Sequence, residues 1–148
     1  MDINIYVNKK KINPLCQSAI DEYIKRLSPY CNMKILCAAK ARKYTSGHST
    51  AHFLLTNTTS TISSEDFARQ INDLTSGGIS RLNYYIGFSS DDLLGITAGN
   101  GVASSDADQP LNSFSICTVQ PSDDMSALLL SEQIYRAYTI LNNITYHK

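Results

Sequence analysis

Hydrophobic and polar residues recur along this chain with two different periods, and the switches between them outline its elements. Ile3, Ile5 and Val7 alternate with Asp2, Asn4 and Tyr6, the period of a strand with one buried face. Asn13-Pro14 then supplies a helix cap with proline in the first turn, and Cys16, Ile20, Tyr23, Ile24 and Leu27 continue an apolar face. Asp21 with Lys25 and Glu22 with Arg26 are acid-first pairs four apart that add a small helix preference. Ser28-Pro29 ends that helix. Met33 to Ala39 predicts a second strand, Lys40 to Ser49 a polar basic loop, Ala51 to Thr56 a short third strand, and Asn57 to Ser60 a turn. Ser63 or Ser64 caps the next helix, whose Phe67, Ile71 and Leu74 face inward and whose end is marked by Gly77-Gly78. Leu82 to Ile86 reads as a buried strand, followed at once by Gly87.

Beyond it, Thr97 to Asn112 turns to Ala, Gly, Asn, Ser and Asp, the composition of a mobile loop. Phe114 to Val119 predicts a fifth strand, which Pro121 breaks. The strongest helical signal closes the chain: Ala127, Leu130, Ile134, Ala137, Leu141 and Ile144 form one face, with Glu132, Arg136 and Thr139 on the opposite edge. Asp123-Asp124 favour its start through the positive end of the helix dipole. This order predicts a single α/β domain over residues 1–148, a mainly parallel sheet of five to six strands with helices on both faces. In such sheets ligands sit beyond the carboxyl ends of the strands, here after strands four and five.

Composition narrows the picture. At 148 residues the chain fits one domain that buries roughly two thirds of its unfolded surface. No apolar run approaches the roughly 20 residues that span a bilayer, and Met1-Asp2-Ile3-Asn4 lacks the character of a secretory signal, so a cytoplasmic location is expected. Cys16, Cys31, Cys37 and Cys117 form no Cys-x-x-Cys pair, which points to buried free thiols rather than disulfides or a zinc site. No metal is expected. Thirteen basic residues balance thirteen acidic ones, which argues mildly against a nucleic-acid partner unless the basic residues cluster. Lys9-Lys10-Lys11, Lys40-Arg42-Lys43 and the tail hold much of the positive charge.

No Walker-type phosphate loop, zinc spacing or nucleophile elbow is present. His48 and His52 flank the third strand and read as structural or exposed. His147, with Tyr146 and Lys148 beside it and Arg136 on the preceding helix, suits proton transfer or phosphate binding. An untethered tail is the alternative.

The run Ser131-Glu132-Gln133-Ile134-Tyr135-Arg136-Ala137-Tyr138, followed by Tyr146-His147-Lys148, resembles the C-terminal signature of the SPOUT-class ribosomal RNA large subunit methyltransferase H family. Ala19 to Tyr30 looks like that family's first helix, Ser63-Ser64-Glu65 with Ala68 and Gln70 like its middle helix, Ile86-Gly87 like its glycine loop, and Ser113-Phe114-Ser115 like its late strand. The resemblance implies a C-terminal trefoil knot, a homodimer, S-adenosylmethionine as cofactor, and methylation of a pseudouridine in 23S rRNA on the ribosome. It assigns cofactor positions to Leu55, Gly87, Phe114, Ser115, Ile116, Cys117, Thr118 and Val119, and catalytic ones to Arg136, Tyr146, His147 and Lys148.

Six departures accompany it. Phe88 stands where the family has a second glycine, and Ser89-Ser90-Asp91-Asp92 replaces a polar-Gly turn. The family's Pro-His ahead of the last helix falls near Ser122-Asp123, and its first-turn Arg falls on Ala127. The 40–51 segment is shorter than in the family, and the 97–112 loop is longer. An alternative reading therefore stands beside the enzyme: a homodimeric relative that keeps the fold for binding only, its cofactor crevice filled by Phe88 or by the longer loop.

Overall fold

The computed structural model describes residues 1–37, 49–58, 60–97 and 112–146, without the side chains of 94–97. The basic cluster Lys40-Arg42-Lys43, His48, His147 and Lys148 lie outside the described residues, as does the 97–112 loop apart from its two ends.

Five short segments pair into one sheet: β1 (Asp2–Val7), β2 (Asn32–Cys37), β3 (Thr50–Leu55), β4 (Arg81–Ile86) and β5 (Asn112–Phe114). Their order is β2-β1-β4-β3-β5 and every pairing is parallel. The helices are α1 (Pro14–Leu27), α2 (Ser64–Ser76), α3 (Ser90–Thr97) and α4 (Asp123–Leu141). On the front face Ile3, Ile5, Val7, Ala51, Phe53, Leu82, Tyr84 and Ile86 meet Ile20 and Leu27 of α1, Phe67 and Ile71 of α2, and Leu130 and Ile134 of α4 in one buried cluster. α4 packs against both α1 and α2.

The back face is built differently. Lys34, Asn4, Asn83 and His52 stand in one register row across four strands. Asn4 Nδ2 donates to Asn83 Oδ1 at 2.9 Å, and His52 Nδ1 lies 2.8 Å from the Tyr85 hydroxyl. Beside this polar row a second, smaller core gathers Tyr6, Leu54, Tyr85 and Leu93 of α3. Tyr6 and Tyr85 stack with ring centroids 5.3 Å apart. Both faces of the sheet are thus covered by helices, as parallel sheets require.

Local chemistry explains the boundaries. Asn13 accepts from the Leu15 N–H at the start of α1, Ser63 caps α2, and Ser122 caps α4. α3 was not expected. It starts with a capping box in which the Ser89 hydroxyl accepts from Asp92 N–H (3.2 Å) while the Asp92 carboxylate accepts from Ser89 N–H (2.8 Å). β5 is shorter than the predicted Phe114 to Val119 strand. Its edge is captured by the 56–62 loop: Thr56 N–H bonds the Phe114 carbonyl (2.9 Å) and Ile62 N–H bonds that of Ser115 (3.0 Å). After Ser115 the chain leaves the sheet.

α4 also stops short of the expected Ile144. Asn143 turns left-handed at φ 51°, and N–H groups of Asn143 and Ile144 bond the carbonyls of Ile140 (3.1 Å) and Thr139 (2.9 Å) in a Schellman-type close. Leu141 and Ile144 consequently lie on the surface. The cysteines are free, as expected, but only Cys31 is buried and Cys37 is exposed. The trefoil knot that the resemblance implies stays an expectation, and residues 98–111, between α3 and β5, lie outside those described.

Candidate cofactor edge and C-terminal cluster

The carboxyl ends of the strands converge on Gly87. Its φ of +74° is left-handed, a conformation that side chains resist, and a Cβ there would lie 2.6 Å from Asp123 Oδ2. The β1–α1 loop is tied to the same spot: Asn8 N–H bonds the Ile86 carbonyl (3.0 Å) and Asn8 Nδ2 bonds that of Gly87 (2.9 Å). Lys9 Nζ reaches Asp124 Oδ2 at 2.6 Å, and the Asn13 N–H donates to the other Asp124 oxygen at 3.0 Å. The hydrogen bond from Lys9 holds the Asp124 carboxyl below the usual carboxylate range. These links lock the first loop to the start of α4.

The other assigned cofactor residues divide by role. Leu55 closes β3 half-buried, beside Phe114 of β5. Phe114 is core: its ring stacks on Phe67 (5.7 Å) and meets Phe53 (6.0 Å) and Tyr84 (5.5 Å). The buried Ser115 hydroxyl donates to the Cys117 carbonyl (2.9 Å) and accepts from Thr58 N–H (3.3 Å), so it shapes the loop. Ile116, Cys117, Thr118 and Val119 form an irregular, largely open segment. Among the described residues, their four N–H groups make no hydrogen bond within the protein. They are donors available to a ligand.

Phe88 does not enter this edge. Its ring packs edge-to-face on Tyr85 at 5.9 Å, against the back-face cluster. Nor does it need positive φ, since Asn143 is the single non-glycine residue with one among the described residues. Positive φ in this turn is confined to Gly87, and the Phe88 ring belongs to the back-face cluster.

Arg136 and Tyr146 lie at the other end of α4. Arg136 Nε and Nη2 both donate to Glu132 Oε1, at 3.0 and 2.9 Å, and its guanidinium sits 5.4 Å from the Tyr146 ring centroid. Tyr146 meets Tyr135 edge-on at 4.8 Å. Burial and a hydrogen bond with Tyr23 push its hydroxyl up to about 12. The chain is therefore tethered as far as Tyr146. Arg136 lies thirteen positions along α4 from Asp123, about 20 Å at 1.5 Å per residue. Within one protomer the structure does not bring the cofactor edge and the C-terminal cluster together.

Residues 1–147 are matched by the family described as "Predicted SPOUT methyltransferase". This chain belongs to the SPOUT methyltransferase family. It is 30% identical over 151 residues, with both chains covered in full, to "Ribosomal RNA large subunit methyltransferase H 1" of Thermoanaerobacter sp. (strain X514). It is 34% identical over 172 residues, again with both chains covered in full, to "Ribosomal RNA large subunit methyltransferase H" of Clostridioides difficile (strain 630). A third relative of that name, from Limosilactobacillus reuteri (strain DSM 20016), is 40% identical over 86 residues, 58% of this chain and 48% of its own.

For a SPOUT methyltransferase the missing side chain at Gly87 is a cradle that a Cβ would fill, and the free N–H groups of 116–119 suit the polar atoms of a bound cofactor. Two features escaped sequence reading. From sequence Asp123 reads as a helix-start acid, and only the fold lays it on Gly87. The Ser89-to-Asp92 capping box is legible as Ser-x-x-Asp, in the run that replaces the family's polar-Gly turn.

Proposed function

We propose that this SPOUT methyltransferase moves a methyl group from S-adenosylmethionine to a pseudouridine of large-subunit ribosomal RNA, in a site completed by a second copy of the chain. The observation that carries it is full-length likeness to relatives named ribosomal RNA large subunit methyltransferase H; the pseudouridine follows from the C-terminal signature. A ribosomal substrate implies a cytoplasmic setting, and no helix of the described residues is long and apolar enough to cross a membrane.

Bound S-adenosylmethionine would supply an activated methyl group on a positively charged sulfur. Leu55, Gly87 and Ile116 to Val119 are the residues we assign to hold it, the last four through backbone donors, with Phe114 and Ser115 shaping the wall behind them. Arg136, Tyr146, His147 and Lys148 orient the nucleotide. Most of the rate gain would come from alignment of two reactants, with a basic group of the tail taking the imide proton as N3 gains the methyl. The span of about 20 Å along α4 calls for the tail of one protomer at the cofactor edge of another. Exposed Leu15, Val119 and Met125 surround that edge with apolar surface suited to a homodimer contact.

Of the two occupants that the binding-only reading offers for the crevice, Phe88 packs on the back face instead, and the longer loop lies outside the described residues. The direct test is incubation with methyl-labelled cofactor and ribosomes lacking the modification. Label should appear in large-subunit rRNA and, after nuclease digestion, on a pseudouridine nucleoside. Label-free rRNA from a preparation that binds the cofactor would remove the activity.

A further inference from the structure

The chain reaches its tail through an exposed stretch. Leu141 to Thr145 lie open to solvent, and Tyr146 is half-buried again. Its ring meets Tyr135 edge-on at 4.8 Å, the Arg136 guanidinium sits 5.4 Å from its centroid, and its hydroxyl bonds that of Tyr23 on α1. Tyr135 is braced in turn from α1. The Tyr23 ring lies 5.8 Å from it, tilted by 48°, and the Arg26 guanidinium, held by Glu22 at 2.9 Å, sits 5.9 Å from its centroid. Tyr23 therefore meets Tyr146 twice, directly through the hydroxyl and indirectly through the Tyr135 ring on which Tyr146 rests. The contact between α1 and α4 already has a core in Ile20, Leu27, Leu130 and Ile134. Tyr23 and Tyr135 stand half-buried beside it, where the Tyr23 hydroxyl reaches the tail.

We propose that Tyr23 is a positioning residue for methyl transfer: from α1 it holds Tyr146, through the Tyr135 ring and its own hydroxyl, in the place from which the tail reaches the nucleotide. The inference rests on the catalytic role assigned to Tyr146 above. A reacting group is effective only when packing and hydrogen bonds lock the side chains that support it. A misplacement of about 1 Å costs about 10²-fold in rate, and an exposed stretch of chain leaves its end free to move by more than that unless another element pins it.

Nitrogen-15 relaxation reads the hold on Tyr146 without relying on turnover. Its backbone amide should be rigid in the wild type, with an order parameter of about 0.85, and fall below about 0.6 in Tyr23→Leu while α1 and α4 stay rigid. Tyr23→Phe, which keeps the ring, should restore most of that order. In methyl transfer to ribosomes, Tyr23→Leu should lower kcat about 10²-fold and leave the KM for S-adenosylmethionine unchanged, with a smaller loss for Tyr23→Phe. In a Tyr146→Ala background Tyr23→Leu should cost nothing further. A Tyr146 amide that stays rigid in Tyr23→Leu, or the same fold-loss of kcat in the Tyr146→Ala background, would overturn the proposal, because Tyr23 would then only pack α1 on α4. A wild-type protein with a rigid Tyr146 and no methyl transfer would instead overturn the proposed function itself.

Discussion

At the residue scale, His52 and Phe88 show how a side chain's environment decides its meaning. His52 lies buried on the polar row of the back face, with Nδ1 against the Tyr85 hydroxyl. Burial lowers its pKa below the ordinary 6.5, so the neutral ring is the native form. The unfolded chain therefore binds the proton first as pH falls. Stability should be level with respect to this group above pH 6.5. It should then decline as pH drops toward the folded pKa, by at most about 1.4 kcal/mol per pH unit. Denaturant midpoints from pH 8 to 5 check this, with His52→Gln expected to flatten the slope in that window. Phe88 carries the second prediction. Because its ring supports Tyr85, Phe88→Gly should destabilise by about 2 kcal/mol, below the full cost of emptying a core aromatic. It should not improve cofactor affinity. A gain in affinity on titration would return the ring to the crevice.

At the element scale, strands and caps were readable because their signals are local. The alternation of Ile3, Ile5 and Val7, the Asn13-Pro14 start and the Ser63 cap all appear where their residues predict. What failed was non-local. β5 stops at Phe114 because the 56–62 loop takes the hydrogen bonds of its last residues, a pairing that no window of sequence contains. The end of α4 is similar: apolar periodicity ran on to Ile144, yet left-handed Asn143 stops the helix first. Asparagine tolerates that conformation better than most residues, and glycine better still. Asn143→Gly should therefore stabilise by about 0.5 kcal/mol. Asn143→Ala should cost about 1 kcal/mol and loosen the turn that brings Tyr146 onto Tyr135. Thermal melts of both variants, with tyrosine fluorescence as a second probe, read the two effects.

At the scale of the whole molecule, the two halves of the proposed site are legible in sequence and the distance between them is not. The glycine edge and the Tyr146-His147-Lys148 tail each stood out, one by position after a buried strand and the other by family likeness. A linear sequence could not show that a single rigid helix holds Asp123 and Arg136 about 20 Å apart. Nor could it show that Arg136 is already paired with Glu132 and Tyr146. The guanidinium can meet an RNA phosphate only in competition with Glu132, so in the proposed function the tail's part in catalysis depends on where a second copy receives it. A site divided between two copies unites the family membership, the distance and the apolar surface around Gly87.

Mixing two defective proteins tests that division most directly. Gly87→Val damages the cofactor edge and leaves the tail, while a chain ending at Ile144 loses Tyr146, His147 and Lys148 and keeps the edge. Each homodimer should be inactive toward ribosomes. Co-refolded in equal amounts, they should recover about a quarter of wild-type methyl transfer, since half the dimers are mixed and each mixed dimer holds one complete site of two. Mixed dimers that form, keep their melting transition and stay inactive would contradict a site shared between protomers.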